Sequence, residues 1–498
     1  GYYNLCCFRT GEERTKMSKE PNIKKNFLYS TAYQILNVIT PFITAPYVSR
    51  VLGAEGIGIQ SYTASIQYIF LLIASLGTLS YGSREISMHR ENVNERSKLF
   101  WEIELMVVCT TGIALLGWGF LCLFSVKYRI FYCVLSIGIF ANMFDITWFF
   151  NGLEQFKLTV VRNSAFKIIG IVLLFALIRS SDDLLLYIFI TAVTSLLSNL
   201  SLWPYMKRYL VKVDFRKLSF RRHFRETLVY FIPTIASSVY TVLDKTLLGL
   251  ITNDAAQNGY YQQAEKIINL AKSVVFTALN SVVGVRNAFL FSEKRFAEIH
   301  EKIETSFNYI FFMGFGCCFG IMGVARTFVP VFFGTGYDQV VGLLYIFAPI
   351  IVIVGISNCL GAQYYTPCGK RKESTNYLII GSVVNLILNL LMIPRFGAEG
   401  AAIASVIAET VVSILYVQFS CGYGNVSVLI KTGGKKMLAG IFMFCIVFYL
   451  NQLQINSLFV LVLQVVIGCS TYMAILLVLQ DEWTQSMCKK IWRKAKHG

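Results

Sequence analysis

The chain has 498 residues, of which 55% are hydrophobic and only 15% are charged, and its mean hydropathy is +0.58. A globular protein of this length could not bury so much apolar surface, so the composition excludes that class and predicts a polytopic membrane protein. A net charge of +17 would suggest a nucleic-acid partner in a soluble protein. Here Lys and Arg gather between apolar segments, as the positive-inside rule requires, and we expect no nucleic-acid partner.

Cysteine and histidine usage argues against a metal site or a cofactor. Most of the 13 Cys residues stand singly in apolar runs without CxxC spacing, which is typical of small membrane-buried side chains. All four His residues lie in charged connections or in the tail, so the sequence predicts no buried imidazole for catalysis. These are His89, His223, His300 and His497. We therefore expect no metal, no cofactor and no histidine-based chemistry.

About fourteen apolar stretches of some 20 residues follow one another along the chain, and this length crosses a hydrocarbon core of about 30 Å. The eighth is the most polar, because Glu265, Lys266 and Lys272 interrupt it. The predicted spans are 27–49, 58–80, 103–125, 130–151, 161–178, 184–206, 227–250, 260–290, 307–328, 340–364, 374–393, 399–418, 437–455 and 457–480.

The distribution of basic residues predicts the orientation. With both termini in the cytoplasm, the cytoplasmic connections hold roughly 35 of the 45 Lys and Arg residues. The other side holds only Arg50, Lys127, Arg129, Arg179 and Arg395. This asymmetry favours an even number of crossings and a multi-pass protein with both ends inside.

Internal repetition predicts two related lobes. The stretch that begins "WFFNGLEQFK" at Trp148 has a counterpart that begins "QYYTPCGKRK" at Gln363, and each enters a helix that stops at an Arg. We predict two pseudo-symmetric six-helix lobes in the same orientation, followed by two further helices. The predicted parts are a cytoplasmic N-terminal segment (1–26), an N-lobe (27–206), a basic cytoplasmic linker (207–226), a C-lobe (227–418), helices 13 and 14 (419–480) and a basic cytoplasmic tail (481–498).

Ionised side chains inside the predicted crossings mark the candidate site, because each costs about 2.5–3.5 kcal/mol at the bilayer centre on insertion scales. Glu265 and Lys272 share one face of the eighth crossing, with Lys266 about 100° around the helix. Two interpretations stay open. Either Lys266, Lys272 and Lys245 bind an anionic head group, or Glu265 and Asp244 neutralise the lysines within the bundle.

Polar side chains on the first and fourth crossings form a second candidate surface. Asn37 lies on the first crossing, and Asn142, Asp145 and Trp148 follow at i, i+3 and i+6 on the fourth. That spacing predicts that the three lie on one helical face, directed toward a shared interior. Amides and an aromatic ring suit sugar hydroxyls, but amides also hold transmembrane helices together, so both roles stay open.

Three carboxylates have a further candidate role. Asp145 is an isolated acid inside an apolar run, and Asp244 and Glu265 lie inside the seventh and eighth crossings. Such groups in transporters are often functional and take part in proton relays or ion pathways. We therefore treat all three as candidates for binding a coupling proton or cation.

The tetrapeptide GAEG occurs at Gly53 to Gly56 and again at Gly397 to Gly400. Each copy separates an odd-numbered crossing that ends near an Arg from the following crossing. Gly can end a helix in the left-handed conformation, and Glu suits the positive start of the next helix. We predict a tight helical hairpin with a structural role at both copies.

Together these features resemble the lipid-linked oligosaccharide flippases of the polysaccharide-export branch of the multidrug and toxin extrusion superfamily. The resemblance is carried by "ITAPYVSRVLGAEGIGIQSY", "GTLSYGSREIS", "DITWFFNGLEQFK" and "QYYTPCGKRKESTNYLIIGSVVNLILNLLMIPRFGAEGAAIASVIAE", in this order. It implies a V-shaped transporter, not an enzyme, that exposes a central cavity alternately to each side of the bacterial inner membrane.

The same resemblance implies the cargo and the partners. The cargo would be an undecaprenyl-diphosphate-linked oligosaccharide, moved to the outer leaflet for O-antigen, capsule or exopolysaccharide assembly. Membrane lipids, a polysaccharide polymerase and glycosyltransferases would be partners. Lys266 stands where related lipid II flippases carry a cation, and Arg50 matches an Arg that closes the first helix of the family. The chain lacks the several arginines that peptidoglycan-precursor flippases carry in their first two helices.

Two other functions compete with this one. A cation-coupled multidrug exporter of the same fold predicts a carboxylate-dominated cavity, whereas this chain offers three lysines against three acids. A membrane-embedded polymerase or acyltransferase would want a buried His–Asp pair or a large extracytoplasmic loop, and the sequence shows neither.

Overall fold

The computed structural model describes residues 23–219, 221–451 and 458–497, and these residues form helices and short connections without a β-strand. The α-helices are α1 (Ile23–Ser75), α2 (Thr78–Met88), α3 (Val93–Phe124), α4 (Arg129–Asn142), α5 (Thr147–Gly152), α6 (Phe156–Leu177), α7 (Leu184–Leu200), α8 (Arg221–Thr252), α9 (Ala255–Ser292), α10 (Phe296–Phe333), α11 (Asp338–Phe347), α12 (Ile350–Leu360), α13 (Arg371–Gln418), α14 (Val426–Leu450), α15 (Leu458–Val478) and α16 (Glu482–His497). The all-α fold class is confirmed.

The helices account for the predicted number of membrane crossings. Among the described residues, ten helical stretches are long and apolar enough to cross a membrane, and two of them, Thr31–Met88 and Arg371–Gln418, are kinked double crossings. Helices α8 and α9 are not among those ten and are 32 and 38 residues long. Counting each kinked stretch twice gives twelve crossings, and α8 and α9 occupy the positions of the seventh and eighth predicted crossings. Large apolar side chains on the outside, such as Leu116 and Phe124, suit contact with lipid.

Both GAEG copies form the predicted kinks. Gly53 and Gly397 have φ values of +67° and +54°, a region that favours glycine. Ser49 and Ser61, on either side of Gly53, contact the consecutive residues Gln263 and Gln262, so the chain folds back between them. We call this side of the molecule the GAEG end and the opposite side, which carries residues 207–219, the linker end.

We refer to α1–α7 as the first half and to α8–α13 as the second half; the predicted lobe boundaries stay a prediction. At the GAEG end the halves meet through glycine. A Cβ atom on Gly58 would overlap the carbonyl oxygen of Ala255, and one on Gly259 would overlap that of Ala54. The backbones of α1 and α9 therefore touch directly, and we call this contact the glycine seam. Tyr337 strengthens it, because its hydroxyl donates to the Ser49 carbonyl at 3.0 Å.

At the linker end the halves meet through polar side chains. His223, near the start of α8, shares hydrogen bonds with the Tyr81 hydroxyl at 2.6 Å and the Glu102 carboxylate at 2.8 Å. Its exposed fraction is only 1%, so the prediction that no imidazole is buried is wrong. The reason is that α8 begins at Arg221 and packs its first turn against α2 and α3, which a charge-rich sequence does not indicate. No group of His, Cys, Asp and Glu in the described chain could hold a metal ion.

Helices α14 and α15 lie against α10, outside the two halves. Lys436 on α14 is 2.9 Å from the Asp481 carboxylate, with side chains only 1% and 7% exposed. The Lys436 ammonium also donates to the Asn308 side chain at 3.0 Å. This buried ion pair fastens the start of α16 to the bundle.

Candidate functional site

A cavity of about 730 Å³ lies between α1 on one side and α8, α9 and α13 on the other. Its floor and walls are rich in polar side chains, although it lies within helices that cross the membrane. Exposing so many polar groups to lipid would cost free energy, whereas a water-filled cavity between helices can accommodate them. The polar lining residues are Asn37, Gln60, Ser61, Ser65, Asp244, Lys245, Gln262, Glu265, Lys266, Asn269, Lys272, Ser273, Ser405 and Glu409.

The three lysines of the cavity are in different electrostatic situations. Lys245 is 2.8 Å from the Glu265 carboxylate, so these two charges neutralise each other. The ammonium groups of Lys266 and Lys272 line the same cavity without a hydrogen bond or an ion pair within 4 Å among the described residues. The cavity therefore contains two cations that are available to an anion.

Asp244 is held by neutral donors. Its carboxylate accepts hydrogen bonds from the Tyr261 hydroxyl at 2.6 Å, from the Asn389 amide at 2.5 Å and from the Ser405 hydroxyl. The side chain is 4% exposed, and α8, α9 and α13 each contribute to its surroundings. Asp244 is thus not neutralising Lys266, and of the three carboxylates proposed for ion coupling it has the most complete shell of polar groups.

The depth of these groups follows from the helices that carry them. Lys266 is eleven residues into α9, which is about 16 Å along the axis at 1.5 Å per residue. That distance is about half of a 30 Å hydrocarbon core. By this count Lys266 lies near mid-membrane depth, where an ionised group is most expensive and most often functional. Lys272 lies six residues, about 9 Å, further along α9.

The structure brings Asn37 to the same cavity from the first half. Asn37 lies on α1 and accepts a hydrogen bond from the Lys167 ammonium at 2.5 Å. Predicted residues Lys245, Lys266, Lys272, Asp244 and Glu265 are therefore joined here by Asn37. They come from α1 and from the consecutive helices α8 and α9, which lie about 200 residues away in sequence.

The predicted residues of the fourth crossing lie elsewhere. Helix α4 ends at Asn142 and α5 begins at Thr147, so the assumption of one continuous helical face is wrong. Trp148 is 2% exposed and stacks on Phe100 with ring centroids 5.5 Å apart. Asn142 donates to the Thr111 hydroxyl at 3.1 Å, and the Asp145 carboxylate accepts from the Thr147 backbone N–H at 3.0 Å.

None of those three residues lines the described cavity, and their contacts are those of packing and of helix termination. Arg50 also lies outside it. Its guanidinium donates to the Val331 carbonyl at 2.6 Å at the GAEG end, so it joins α1 to α10 across the seam.

Sequence reasoning missed four charges that lie inside crossings. Arg162 and Lys167 occur in "VVRNSAFKIIG" on α6, and Glu102 and Glu104 occur in "WEIELMVV" on α3. The criterion that found Lys266, an ionisable residue within an apolar run, would have found all four. Lys167 matters most for the site, because it contacts Asn37 at the cavity.

The family model described as "Polysaccharide biosynthesis protein" matches residues 23–283, just over half of the chain. The chain belongs to this family. Its matched segment contains α1 to α8 and most of α9, including Asn37, Asp244, Lys245, Lys266 and Lys272.

Individual relatives of this family member are distant in sequence and differ in how much of the chain they match. A proposed O-antigen transporter of Escherichia coli K12 is 22% identical over 412 residues, which are 80% of this chain and 96% of the relative. A proposed low-salt glycan biosynthesis flippase of Haloferax volcanii, Agl15, is 22% identical over 253 residues, about half of each chain.

Solved structures agree on the fold. The lipid II flippase MurJ in an inward closed conformation aligns with a TM-score of 0.71 at 17% identity, covering 92% of this chain and 99% of the other. An inward-facing MATE multidrug transporter aligns with a TM-score of 0.58 at 16% identity, covering 82% and 96%. This family member therefore has the fold that MurJ and MATE transporters share.

Proposed function

We propose that this protein flips a polyprenyl-diphosphate-linked glycan across a membrane. The observation that carries the proposal is the pair of ammonium groups, Lys266 and Lys272, that line a polar cavity and have no ion pair with any described residue. The proposal is also supported by the relative described as an O-antigen transporter, which aligns over most of both chains.

The chemistry of the cargo explains the cavity. A diphosphate cannot cross hydrocarbon unaided, because removing its water costs far more than a single contact returns. Lys266 and Lys272 would replace water at the phosphates by charge-assisted hydrogen bonds. Amide and hydroxyl groups such as Asn37 and Gln60 would replace it at the sugars, while the polyprenyl tail remains in lipid.

We further propose the direction and the setting. The positive-inside rule makes the linker end cytoplasmic, with both termini on that side of a bacterial inner membrane. An undecaprenyl-diphosphate oligosaccharide would enter from the cytoplasmic leaflet and leave in the outer leaflet after the halves rock about the cavity. The glycine seam would be the contact that separates during this motion. Glycosyltransferases would supply the cargo, and a polymerase would consume it in O-antigen, capsule or exopolysaccharide assembly.

In this proposal, Asp244 is the residue that binds the coupling ion. Its shell of Tyr261, Asn389 and Ser405 could hold a proton or a small cation in place of a bulk counter-ion. Glu265 forms an ion pair with Lys245, and the Asp145 carboxylate accepts a hydrogen bond from the Thr147 backbone N–H. Both carboxylates therefore fit this role less well. The alternative, a cation-coupled multidrug exporter, shares the Asp244 shell but must place a cationic drug beside two unpaired lysines.

The test replaces Lys266 in a strain whose surface polysaccharide depends on this protein. We expect Lys266→Ala to abolish surface polymer and Lys266→Arg to retain most of it, because Arg keeps the charge that holds a phosphate. Lys431→Ala, on the exposed face of α14, is the matched control and should behave as wild type. Normal polymer with Lys266→Ala at equal protein levels would overturn the proposal. Loss of drug resistance instead of polymer would favour the exporter.

A further inference from the structure

A second cavity, of about 320 Å³, lies within the first half between α1, α6 and α7, and we call it the hydroxyl groove. Its volume falls within the range of about 300–1,000 Å³ that is usual for small-ligand pockets. Serine and threonine dominate its polar lining, and no carboxylate occurs among the described residues that line it. The hydroxyl residues are Thr40, Thr44, Thr191, Thr194, Ser195 and Ser198.

Lys167 supplies the only ionisable cation in that described lining. It stands eleven residues into the 22-residue α6, so it lies at the middle of a crossing, where an ammonium group costs about 2.5–3.5 kcal/mol on insertion scales. An ammonium has three donors. One hydrogen bond is accounted for by Asn37 at 2.5 Å, and the described chain supplies no carboxylate within 4 Å.

The hydroxyl groups are oriented as acceptors. Thr40 and Thr191 donate to the carbonyls of Leu36 and Ile188 on their own helices at 2.7 and 2.8 Å. Their oxygen lone pairs remain for a ligand that donates, and the hydroxyls of a sugar are such donors. The rings of Tyr33, Phe166 and Tyr187 also line the groove and offer apolar faces to a pyranose.

Asn37 connects the two cavities. It lines the larger cavity beside Lys266 and Lys272 and accepts the hydrogen bond from Lys167, which lines the groove. The two cavities share no lining residue among those described, and this hydrogen bond is the contact between them. The groove is therefore next to the Asn37 side of the larger cavity, where the sugars of a ligand bound by its diphosphate at Lys266 can extend.

We propose that the hydroxyl groove is a subsite for a sugar of the lipid-linked glycan, and that Lys167 selects a sugar bearing a carboxylate. This inference rests on the proposed function and adds the substrate class, an acidic glycan. The sugar hydroxyls donate to Thr40 and Thr191, and the carboxylate accepts from the Lys167 ammonium. Lys167 is thus the specificity-determining residue of the groove.

The experiment uses two synthetic probes with the same polyprenyl diphosphate and one sugar each, glucose in one and glucuronic acid in the other. The probes differ only in a CH₂OH or a COO⁻ at C6. Affinity is measured on the full chain in lipid nanodiscs for wild type, Lys167→Met, Lys167→Arg and Lys266→Met, with chromatographic profile and thermal midpoint as checks of folding.

We expect wild type to prefer the glucuronic acid probe by about tenfold, the effect of one charge-assisted hydrogen bond. Lys167→Met should reduce that preference to about threefold or less, while Lys167→Arg keeps it. Lys266→Met should weaken both probes equally. The inference is overturned if wild type shows no preference, or if Lys167→Met weakens both probes to the same extent. Binding of neither probe by wild type would instead overturn the proposed function, and with it this inference.

Discussion

The two sides of the larger cavity differ in the chemistry they present. The second half contributes a charged wall, made of Asp244, Lys245, Glu265, Lys266 and Lys272. The first half contributes a hydroxyl wall, made of the amides of Asn37 and Gln60 and the hydroxyls of Ser61 and Ser65. Asn37 links this wall to the hydroxyl groove and its cation, Lys167. In the proposed function, binding of the charged groups and binding of the sugar hydroxyls therefore fall to different halves.

This difference teaches how a repeated fold can handle an amphiphilic cargo. If the two halves descend from one repeat, their shared helices have diverged in polar residues while keeping the backbone arrangement. A diphosphate needs fixed cations, whereas a glycan needs many weaker acceptors and donors. Two unlike walls facing one cavity can satisfy both without placing every charge on one helix.

The largest effect should come from preventing the two halves from meeting at the glycine seam. Gly259→Val inserts a side chain where the α9 backbone touches the Ala54 carbonyl, so the glycine seam cannot close. We expect loss of surface polysaccharide in a complementation assay, with protein still present in the membrane. Gly112→Val is the matched control, because a Cβ atom there has no neighbour within 4 Å. Wild-type polymer with Gly259→Val would contradict the closed seam.

The next largest effect should be on the stability of the protein rather than on recognition of the cargo. Lys436→Met leaves the Asp481 carboxylate buried without its partner, outside both walls. We expect a loss of about 3–5 kcal/mol in the free energy of unfolding, measured by thermal and denaturant unfolding of purified protein.

Two variants control this prediction. Lys436→Met combined with Asp481→Asn removes both charges and should recover much of the stability. Lys217→Met removes an exposed pair with Asp214 and should cost less than about 1 kcal/mol. If the single Lys436→Met variant is as stable as wild type, the pair has no structural role.

Within the charged wall, Asp244→Asn should separate coupling from cargo binding. The substitution keeps the size of the side chain and removes its charge, while the donors from Tyr261 and Asn389 remain nearby. We expect transport in proteoliposomes to lose its response to an imposed proton or sodium gradient, with binding of a polyprenyl diphosphate retained. Asp254→Asn, at the exposed GAEG end, serves as control. A preserved gradient response would remove Asp244 from the coupling role.

The smallest effect comes from shifting the charge balance of the same wall. Glu265→Gln releases Lys245 from its 2.8 Å ion pair and adds one unpaired cation to the cavity. We expect the affinity for a polyprenyl diphosphate to rise about threefold, the effect of one added charge about 6 Å from a phosphate in a water-filled cavity, with a steeper dependence on salt. Weaker binding would mean that Glu265 positions Lys245 for the cargo.

The charged wall was largely predictable from sequence, and the hydroxyl wall was not. A charged residue inside an apolar run can be recognised as a candidate because its insertion into a membrane costs free energy. Lys266 and Asp244 are examples. Threonines such as Thr40 and Thr191 carry little penalty, so nothing in the sequence separates a groove from ordinary packing. Lys167 carried the required signal, and its partner Asn37 is 130 residues away.

For the fold as well, features set by local sequence were predictable and features set by long-range contacts were not. Apolar length gave the crossings, and the GAEG copies predicted both kinks. The two wrong predictions concern features that depend on a local helix break or on a tertiary contact. The turn between Asn142 and Thr147 removed Trp148 from the predicted face, and the packing of α8 on α3 buried His223 beside Glu102. Periodicity assumes an unbroken helix, so it could not foresee the first of these.

The most direct test of the account is the affinity of the purified protein in nanodiscs for a polyprenyl diphosphate without sugar. The central claim is that Lys266 and Lys272 form the anion site of the cavity. We predict that Lys266→Met combined with Lys272→Met lowers this affinity by at least about 100-fold, the loss of two charge-assisted contacts. An affinity within about twofold of wild type would contradict the claim.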